Sequence, residues 1–271
     1  MTVQEAMAQY RSPDPADYPE LAGYTRDEIY FDSFGGGAMY LAARIVRTMR
    51  LRQDDIVLDL GCGKGETSIF LARHLGVRVV AVDLWTPATF LSEKLAARGH
   101  RDGITPLNLD ITGRLPFAEH YFDAVFCMNS FSFYGGSLEF LNHLLPHLRP
   151  GGQLAIGSEV LSEEFTPEQW NSPPKVYHYF LPGTNVDVWQ EDFSKMHSPG
   201  WWEQLFTESG LLAVEHCQEL PDSVVLYEDL VRYQVEHDLD PHDVDISIQQ
   251  IEWGRNYRPY KTLFTITARR L

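Results

Sequence analysis

Three glycines at alternate positions, Gly61, Gly63 and Gly65, sit between two acids, Asp59 and Glu66, and a third acid, Asp83, follows 20 residues after Gly63. Glycine leaves no Cβ between main chain and ligand and admits backbone angles closed to other residues, so this spacing suits a loop that approaches something closely. A phosphate-cradling loop ends in Gly-Lys-Ser/Thr, whereas Lys64 is followed by Gly65 and Glu66. A dinucleotide fingerprint is G-x-G-x-x-G, with the pyrophosphate on a helix N-terminus; here the spacing is G-x-G-x-G. Carboxylates at Asp59 and Glu66 would repel a pyrophosphate and suit a ligand that carries an ammonium group and a sulfonium. The plain alternative is a glycine-rich turn beside a solvated acid.

The elements that must position these residues are readable on either side. Ile56-Val57-Leu58 is an uninterrupted apolar run, as expected of a strand covered on both faces of a parallel sheet. Glu66 to Leu75 has apolar residues at helical spacing and stops before Gly76. Val77 to Val82 is a second β-branched run, and it ends at Asp83, about the separation at which an acid meets a ribose diol. Strand, glycine loop, helix, strand and acid together point to a nucleoside-type cofactor.

Asp59-Leu60-Gly61-Cys62-Gly63-Lys64-Gly65 resembles motif I of class I S-adenosylmethionine-dependent methyltransferases. The resemblance covers about residues 35 to 271 and is firmest from Ile56 to Ser158; the Ser198-Pro199-Gly200-Trp201-Trp202 segment resembles bacterial cyclopropane-synthase-like small-molecule enzymes. It implies an α/β fold, a doubly wound, mostly parallel seven-stranded sheet of Rossmann-like kind with an antiparallel last strand and an inserted lid. It also implies S-adenosyl-L-methionine as cofactor. Asp83 would bind the ribose hydroxyls, Leu84 and Trp85 would lie by adenine and ribose, and Asp110 and Ile111 would meet the adenine amine and ring. Asp59, Gly61 and Gly63 would form the loop site. Gly36 would lie over the methionine end and Asn129 would stand where relatives carry a catalytic Asp or Asn. Plain readings compete: Gly35-Gly36-Gly37 as a hinge, Trp85 as core, and Phe131, Phe133 and Tyr134 as packing for the helix read over Ser137 to Leu148.

Residues 1–37 read as an N-terminal arm with little regular structure, because Arg11 to Tyr18 is rich in Pro and Asp. The domain is expected over 38–271, beginning with a helix from Ala38 to Arg50. Residues 159–199 break the α/β alternation and are rich in aromatics, which makes them the expected substrate lid, with polar tips at Tyr177, His178 and Tyr179. Residues 222–257 read as a helical insertion. Candidate bases are His178, His197 and Tyr134, each with a structural or surface role as its alternative. His143 and His147 share a helix face, but no Glu follows His143 and no third ligand is near in sequence, so no metal site is expected.

A formal charge of -16 opposes binding to nucleic acid, which depends on neutralised phosphates. Cys62, Cys127 and Cys217 form neither a zinc spacing nor a disulfide framework. No stretch approaches the roughly 20 apolar residues of a membrane span, and the N-terminus lacks the pattern of a secretory signal, so a cytoplasmic location is expected. The expected reaction is methyl transfer to a small-molecule acceptor. Its alternatives are a carbon-directed, cyclopropane-synthase-like reaction and a cofactor-binding module without turnover; a dehydrogenase comes last. Neither the acceptor nor the oligomeric state is readable.

Overall fold

A computed structural model describes residues 1–30, 37–171, 194–256 and 261–271. The apolar run before the glycines is strand β1 (Ile56–Leu60), and the loop opens into α4 (Glu66–Leu75), after α1 (Val3–Gln9), α2 (Arg26–Tyr30) and α3 (Ala38–Ile45). Then come β2 (Arg78–Asp83), α5 (Ala88–Ala97), β3 (Ile104–Asn108), β4 (Phe122–Met128) and α6 (Leu138–Leu144). The chain continues through β5 (Leu148–Leu161), α7 (Pro167–Asn171), α8 (Pro199–Glu208) and β6 (Leu212–Glu219). It closes with α9 (Ser223–Glu236), α10 (Pro241–Asn256) and β7 (Lys261–Arg270).

The strands form one seven-stranded sheet in the order β3-β2-β1-β4-β5-β7-β6. β3 through β5 are parallel, and β7 inserts antiparallel between β5 and β6. β1 pairs with β2 on one side and with β4 on the other, so the winding reverses there and leaves a crevice at the carboxyl ends. One face of the sheet packs on α3, α4 and α9 through residues such as Leu41, Phe70 and Leu226. The opposite face packs on α6 and α8 through Leu141, Trp202 and Phe206. Truncating a side chain as buried as Trp202 costs about 3 to 5 kcal/mol, so both layers are needed to hold the crevice open.

Several boundaries differ from the sequence reading, each for a local reason. The helix from Ala38 ends at Ile45 and tightens into a 3-10 turn over Val46–Thr48, where the Thr48 hydroxyl donates to the Ile45 carbonyl at 2.7 Å. The helix read from Ser137 to Leu148 stops at Leu144, because Pro146 has no N–H and enforces a 3-10 turn. Arg149 to Gly152, which follow that helix with a proline and two glycines, lie within β5, at a register shift against β4 between Phe122 and Ala124. Proline and glycine are tolerated in a strand at such an irregularity.

The arm is more regular than its composition implies. Thr2 and Glu5 form a reciprocal capping box for α1, and Pro15–Asp17 and Pro19–Leu21 are 3-10 turns. Ala6 and Tyr10 pack with Val231 of α9 and Val244, Ile248 and Ile251 of α10 in a small separate core. Most of the expected lid, including Tyr177, His178 and Tyr179, lies outside the described residues, as does Gly36. Among the described residues no helix is long and apolar enough to cross a membrane.

Candidate active site

The crevice between β1 and β4 holds a cavity of about 470 Å³. Its walls are the glycine loop, the ends of β2 and β4, the Leu109–Thr112 turn and Ala38 of α3. Gly61, Gly63, Asp83, Leu84, Trp85, Asp110, Ile111, Asn129 and Tyr134 all line it, so the fold brings these expected residues to one place.

The loop is shaped from both sides. Amides of Gly61 and Cys62 donate to the Val82 carbonyl at 2.8 and 3.0 Å, which sews the loop to β2. Gly61 has φ of 72°, and a Cβ built on it would collide with Ser130 Oγ. Asp83 at the end of β2 accepts from the Gly63 amide at 2.9 Å through one carboxylate oxygen. Its other oxygen accepts from the amides of Trp85 and Thr86 at 2.8 and 2.7 Å. Asn108, which the sequence reading passed over, donates its side-chain amide to the carbonyls of Asp83 and Leu84 at 2.9 and 2.8 Å. A short polar residue closing a strand beside an acidic loop was the available signal. The loop so braced projects Leu84 and Trp85 outward, 54% and 82% exposed.

Asp59 lies below the loop, fully buried, and does not itself line the cavity. Thr67 and Ser68 hydroxyls donate to its Oδ2 at 2.7 and 2.6 Å, while Oδ1 has no hydrogen-bond partner among the described residues. Burial pushes its carboxyl up to about 6, and the charge of Asp83 adds to this. Glu66 lines the cavity but is paired with cations, since Lys94 and Arg98 beside it on and after α5 reach its Oε1 at 2.8 and 2.6 Å. Asp110 is exposed and turned onto Thr112, whose hydroxyl and amide donate to it at 2.7 and 2.9 Å and hold its carboxyl below the usual range.

Beyond β4, Asn129 adopts a left-handed φ of 57°. Its amide donates to the Gly157 carbonyl at 2.8 Å, and its side-chain oxygen accepts from the Glu159 amide at 3.1 Å. These contacts anchor the loop to β5. Ser130 donates to the Leu60 carbonyl at 3.0 Å and lies 2.7 Å from Tyr134 Oη, with Cys127 Sγ behind at 3.0 and 3.3 Å. Burial holds the Tyr134 hydroxyl well above its ordinary range and pushes the Cys127 thiol up to about 11.

His197 lies outside the cavity wall, two residues after Lys195, whose Nζ sits 5.7 Å over the ring of the cavity-lining Phe133. Its Nδ1–H donates to Glu164 Oε2 at 3.1 Å and its ring stacks on Trp201 at 3.6 Å. Glu164 Oε1 also accepts from the Ser198 amide at 2.6 Å, and these contacts hold its carboxyl below the usual range although burial opposes the shift. His143 and His147 reach different carbonyls, those of Ile111 and Ala118, and no metal-ligating cluster occurs among the described residues.

A family profile described as a methyltransferase domain matches residues 57–152, which span β1 to the start of β5. Among curated proteins the chain is similar to 27-O-demethylrifamycin SV methyltransferase of Amycolatopsis mediterranei (strain S699), 27% identical over 45% of this chain and 44% of that one. It is also similar to the tRNA U34 carboxymethyltransferase of Cellvibrio japonicus (strain Ueda107), 27% identical over 44% of this chain and 37% of that one. This chain spans about half or less of the length of the curated relatives it matches. A solved structure of geranyl diphosphate C-methyltransferase from Streptomyces coelicolor A3(2) shares the fold, with a TM-score of 0.64, 18% identity, and coverage of 86% of this chain and 76% of that one. Sheet order, glycine loop and profile agree: residues 57–152 match a methyltransferase domain, within a seven-stranded fold like that of class I S-adenosylmethionine-dependent methyltransferases. S-adenosylmethionine is the cofactor of that class.

Proposed function

We propose that the protein methylates a small-molecule acceptor in a bacterial cytoplasm, with S-adenosylmethionine held in the cavity between β1 and β4. The observation that supports this most is the pairing of a braced carboxylate, Asp83, with a buried one, Asp59, whose second oxygen has no partner among the described residues. Asp83 lines the cavity and suits a ribose diol, while Asp59, buried beneath the glycine loop, adds negative potential that favours a ligand carrying an ammonium and a sulfonium. Leu84, Trp85 and Ile111 offer apolar surface for the purine, and Asp110 and Asn129 complete the wall. The domain, on this reading, runs over 38–271 with the arm at 1–37 and insertions at 159–199 and 222–257.

The bound cofactor supplies a methyl group on a sulfonium, and its sulfur leaves as a neutral thioether, so the protein need not provide an acid. What the chain must do is align donor and acceptor, exclude water and accept a proton where the acceptor carries one. His197 suits the role of proton acceptor, because Glu164 fixes the Nδ1–H tautomer and Nε2, the acceptor nitrogen, makes no hydrogen bond among the described residues. Tyr134, whose hydroxyl is committed to Ser130 and Cys127, is assigned to holding the loop. His178 stays a candidate base by sequence alone. A charge of -16 supports acceptors other than nucleic acid.

Calorimetry with S-adenosylhomocysteine, with NAD as control, tests the cofactor. Incubation with S-adenosylmethionine and a panel of phenols, sugar alcohols, amines and carboxylic acids, read by mass spectrometry for products heavier by one methyl group, tests the reaction. Binding of S-adenosylhomocysteine and one methylated product are expected, with turnover falling at least tenfold in His197→Gln. Selective binding of NAD would overturn the reading, as would tight, salt-sensitive binding of RNA with methylation of the RNA.

A further inference from the structure

The buried acid that holds the N-terminal arm lies on α9, outside the residues matched as a methyltransferase domain. Asp229 has no exposed surface. It accepts from the Ser12 hydroxyl at 2.5 Å, from Arg26 Nη1 at 2.8 and 3.1 Å, and from the Tyr30 hydroxyl at 2.5 Å. Burying a carboxylate is costly unless it is paired and hydrogen-bonded, so these partners are held firmly in place.

Two routes lead from Asp229 to the cofactor cavity. The first is Tyr40 of α3, whose hydroxyl lies 3.5 Å from both Tyr30 Oη and Asp229 Oδ2, two residues after the cavity-lining Ala38. The second is α2, a single turn bonded to Asp229 at both ends, through Arg26 and Tyr30. Glu28 in that turn accepts from Arg98 Nη2 at 2.6 Å, and Arg98 Nη1 donates to Glu66 Oε1 at 2.6 Å. Glu66 opens α4 and lines the cavity. The neighbouring acid gives a contrast: Glu228 is equally buried, but it accepts from the Arg11 amide and from Arg255, neither of which touches the cavity wall.

We propose that Asp229 is a positioning residue of the cofactor cavity, which fixes α3 directly and the start of α4 through the Glu28–Arg98–Glu66 chain. Cofactor affinity then depends on the helical segment that carries Asp229, although that segment lies far from the glycine loop in sequence. The inference rests on the cofactor reading above. A purely structural Asp229 would alter stability and leave affinity alone.

The test compares Asp229→Asn, Glu228→Gln and Tyr30→Phe with the unaltered protein, by thermal melting, by calorimetry with S-adenosylhomocysteine well below each melting point, and by hydrogen exchange without ligand. Asp229→Asn is expected to weaken S-adenosylhomocysteine binding at least tenfold and Tyr30→Phe at least threefold. Glu228→Gln is expected to lower the melting temperature with affinity within twofold. Exchange at Ala38 to Leu41 and at Glu66 to Ile69 should quicken in Asp229→Asn and not in Glu228→Gln. Should Asp229→Asn not fold, Tyr30→Phe carries the affinity test. Affinity within twofold in both Asp229→Asn and Tyr30→Phe, or an equal loss in Glu228→Gln, would overturn the proposal. If the unaltered protein binds no S-adenosylhomocysteine, the cofactor reading falls, and the exchange comparison still decides whether Asp229 holds α3 and α4.

Discussion

Ser130 Oγ fills the space that a Cβ on Gly61 would need, and the same hydroxyl donates to the carbonyl of Leu60 at 3.0 Å. The loop after β4 and the loop after β1 are therefore fitted to each other at one atom, and the fit needs a glycine. Gly61→Ala meets two penalties: a left-handed φ of 72°, worth about 1 to 2 kcal/mol for a residue with a Cβ, and displacement of Ser130. Affinity for S-adenosylhomocysteine should fall at least tenfold. Adding Ser130→Gly removes the collision and not the backbone strain, so the double variant should recover part of the loss. A single variant that binds as tightly as the parent would show that the close fit is unimportant.

Asp83 does two things at once. Its carboxylate accepts amides from Gly63, Trp85 and Thr86, and it presents its remaining acceptor capacity to the cavity. Charge-assisted hydrogen bonds are worth about 1.5 to 3 kcal/mol each, so Asp83→Ala should lower cofactor affinity by roughly a hundredfold or more, at about 1.4 kcal/mol per tenfold. Asp83→Asn keeps one acceptor oxygen and should fall between. Unchanged calorimetric affinity in a folded Asp83→Ala protein would take Asp83 out of the site.

Asp59 makes both stability and binding depend on pH, with opposite signs. Its carboxyl is lifted to about 6 in the fold, against about 3.9 in an unfolded chain. Between those values the folded protein holds the extra proton, so the stability of the ligand-free protein declines as pH rises from about 4 to 6, by roughly 3 kcal/mol. A cationic ligand above the glycine loop is favoured by the charge of Asp59 beneath it, so affinity for S-adenosylhomocysteine should weaken as pH drops below about 6. Asp59→Asn should flatten both trends in denaturation and calorimetry between pH 4.5 and 7.5. Parallel slopes in the two proteins would assign the dependence to other groups.

The parts legible in the sequence are those whose physics is local. β1, the glycine loop, α4 and Asp83 follow from short-range patterns, and so does their meeting at the cavity, because the winding reverses beside β1. The capping box of α1 is legible too, as Thr2 and Glu5 three residues apart, but the prolines after Tyr10 mask it by marking the whole arm as irregular. Glu66 cannot be read correctly from position alone, since its cations, Lys94 and Arg98, come from the end of the next helix. Asp229 is invisible for the same reason on a larger scale: an acid in a polar-looking helix becomes a buried anchor only through Ser12, Arg26 and Tyr30, about 200 residues earlier. The Pro-Gly-Gly at the start of β5 signals a stop and marks instead a strand irregularity, because local sequence does not reveal that Phe122 pairs with Leu148.

Trp85 carries the last prediction. The side chain is 82% exposed and lines the cavity, beside Leu84 at 54%. Exposed aromatics of this size add little to stability, since they bury little on folding, and surface substitutions usually change it by no more than about 0.5 kcal/mol. The amides of Trp85 and Thr86 are nevertheless fixed on Asp83, so the backbone beneath the ring is held in one conformation at the cavity edge. An indole placed this way gains burial only when a flat apolar group enters, and removing it would cost that contact, about 1 to 2 kcal/mol by the worth of aromatic pairs beyond area burial together with the area itself. Trp85→Ala should therefore melt within about 2 °C of the parent while binding S-adenosylhomocysteine roughly tenfold more weakly. The fluorescence change on adding S-adenosylhomocysteine, present in the parent, should shrink in the variant even though the other tryptophans remain. If the melting temperature falls steeply while affinity holds, Trp85 packs within the fold and does not face the ligand.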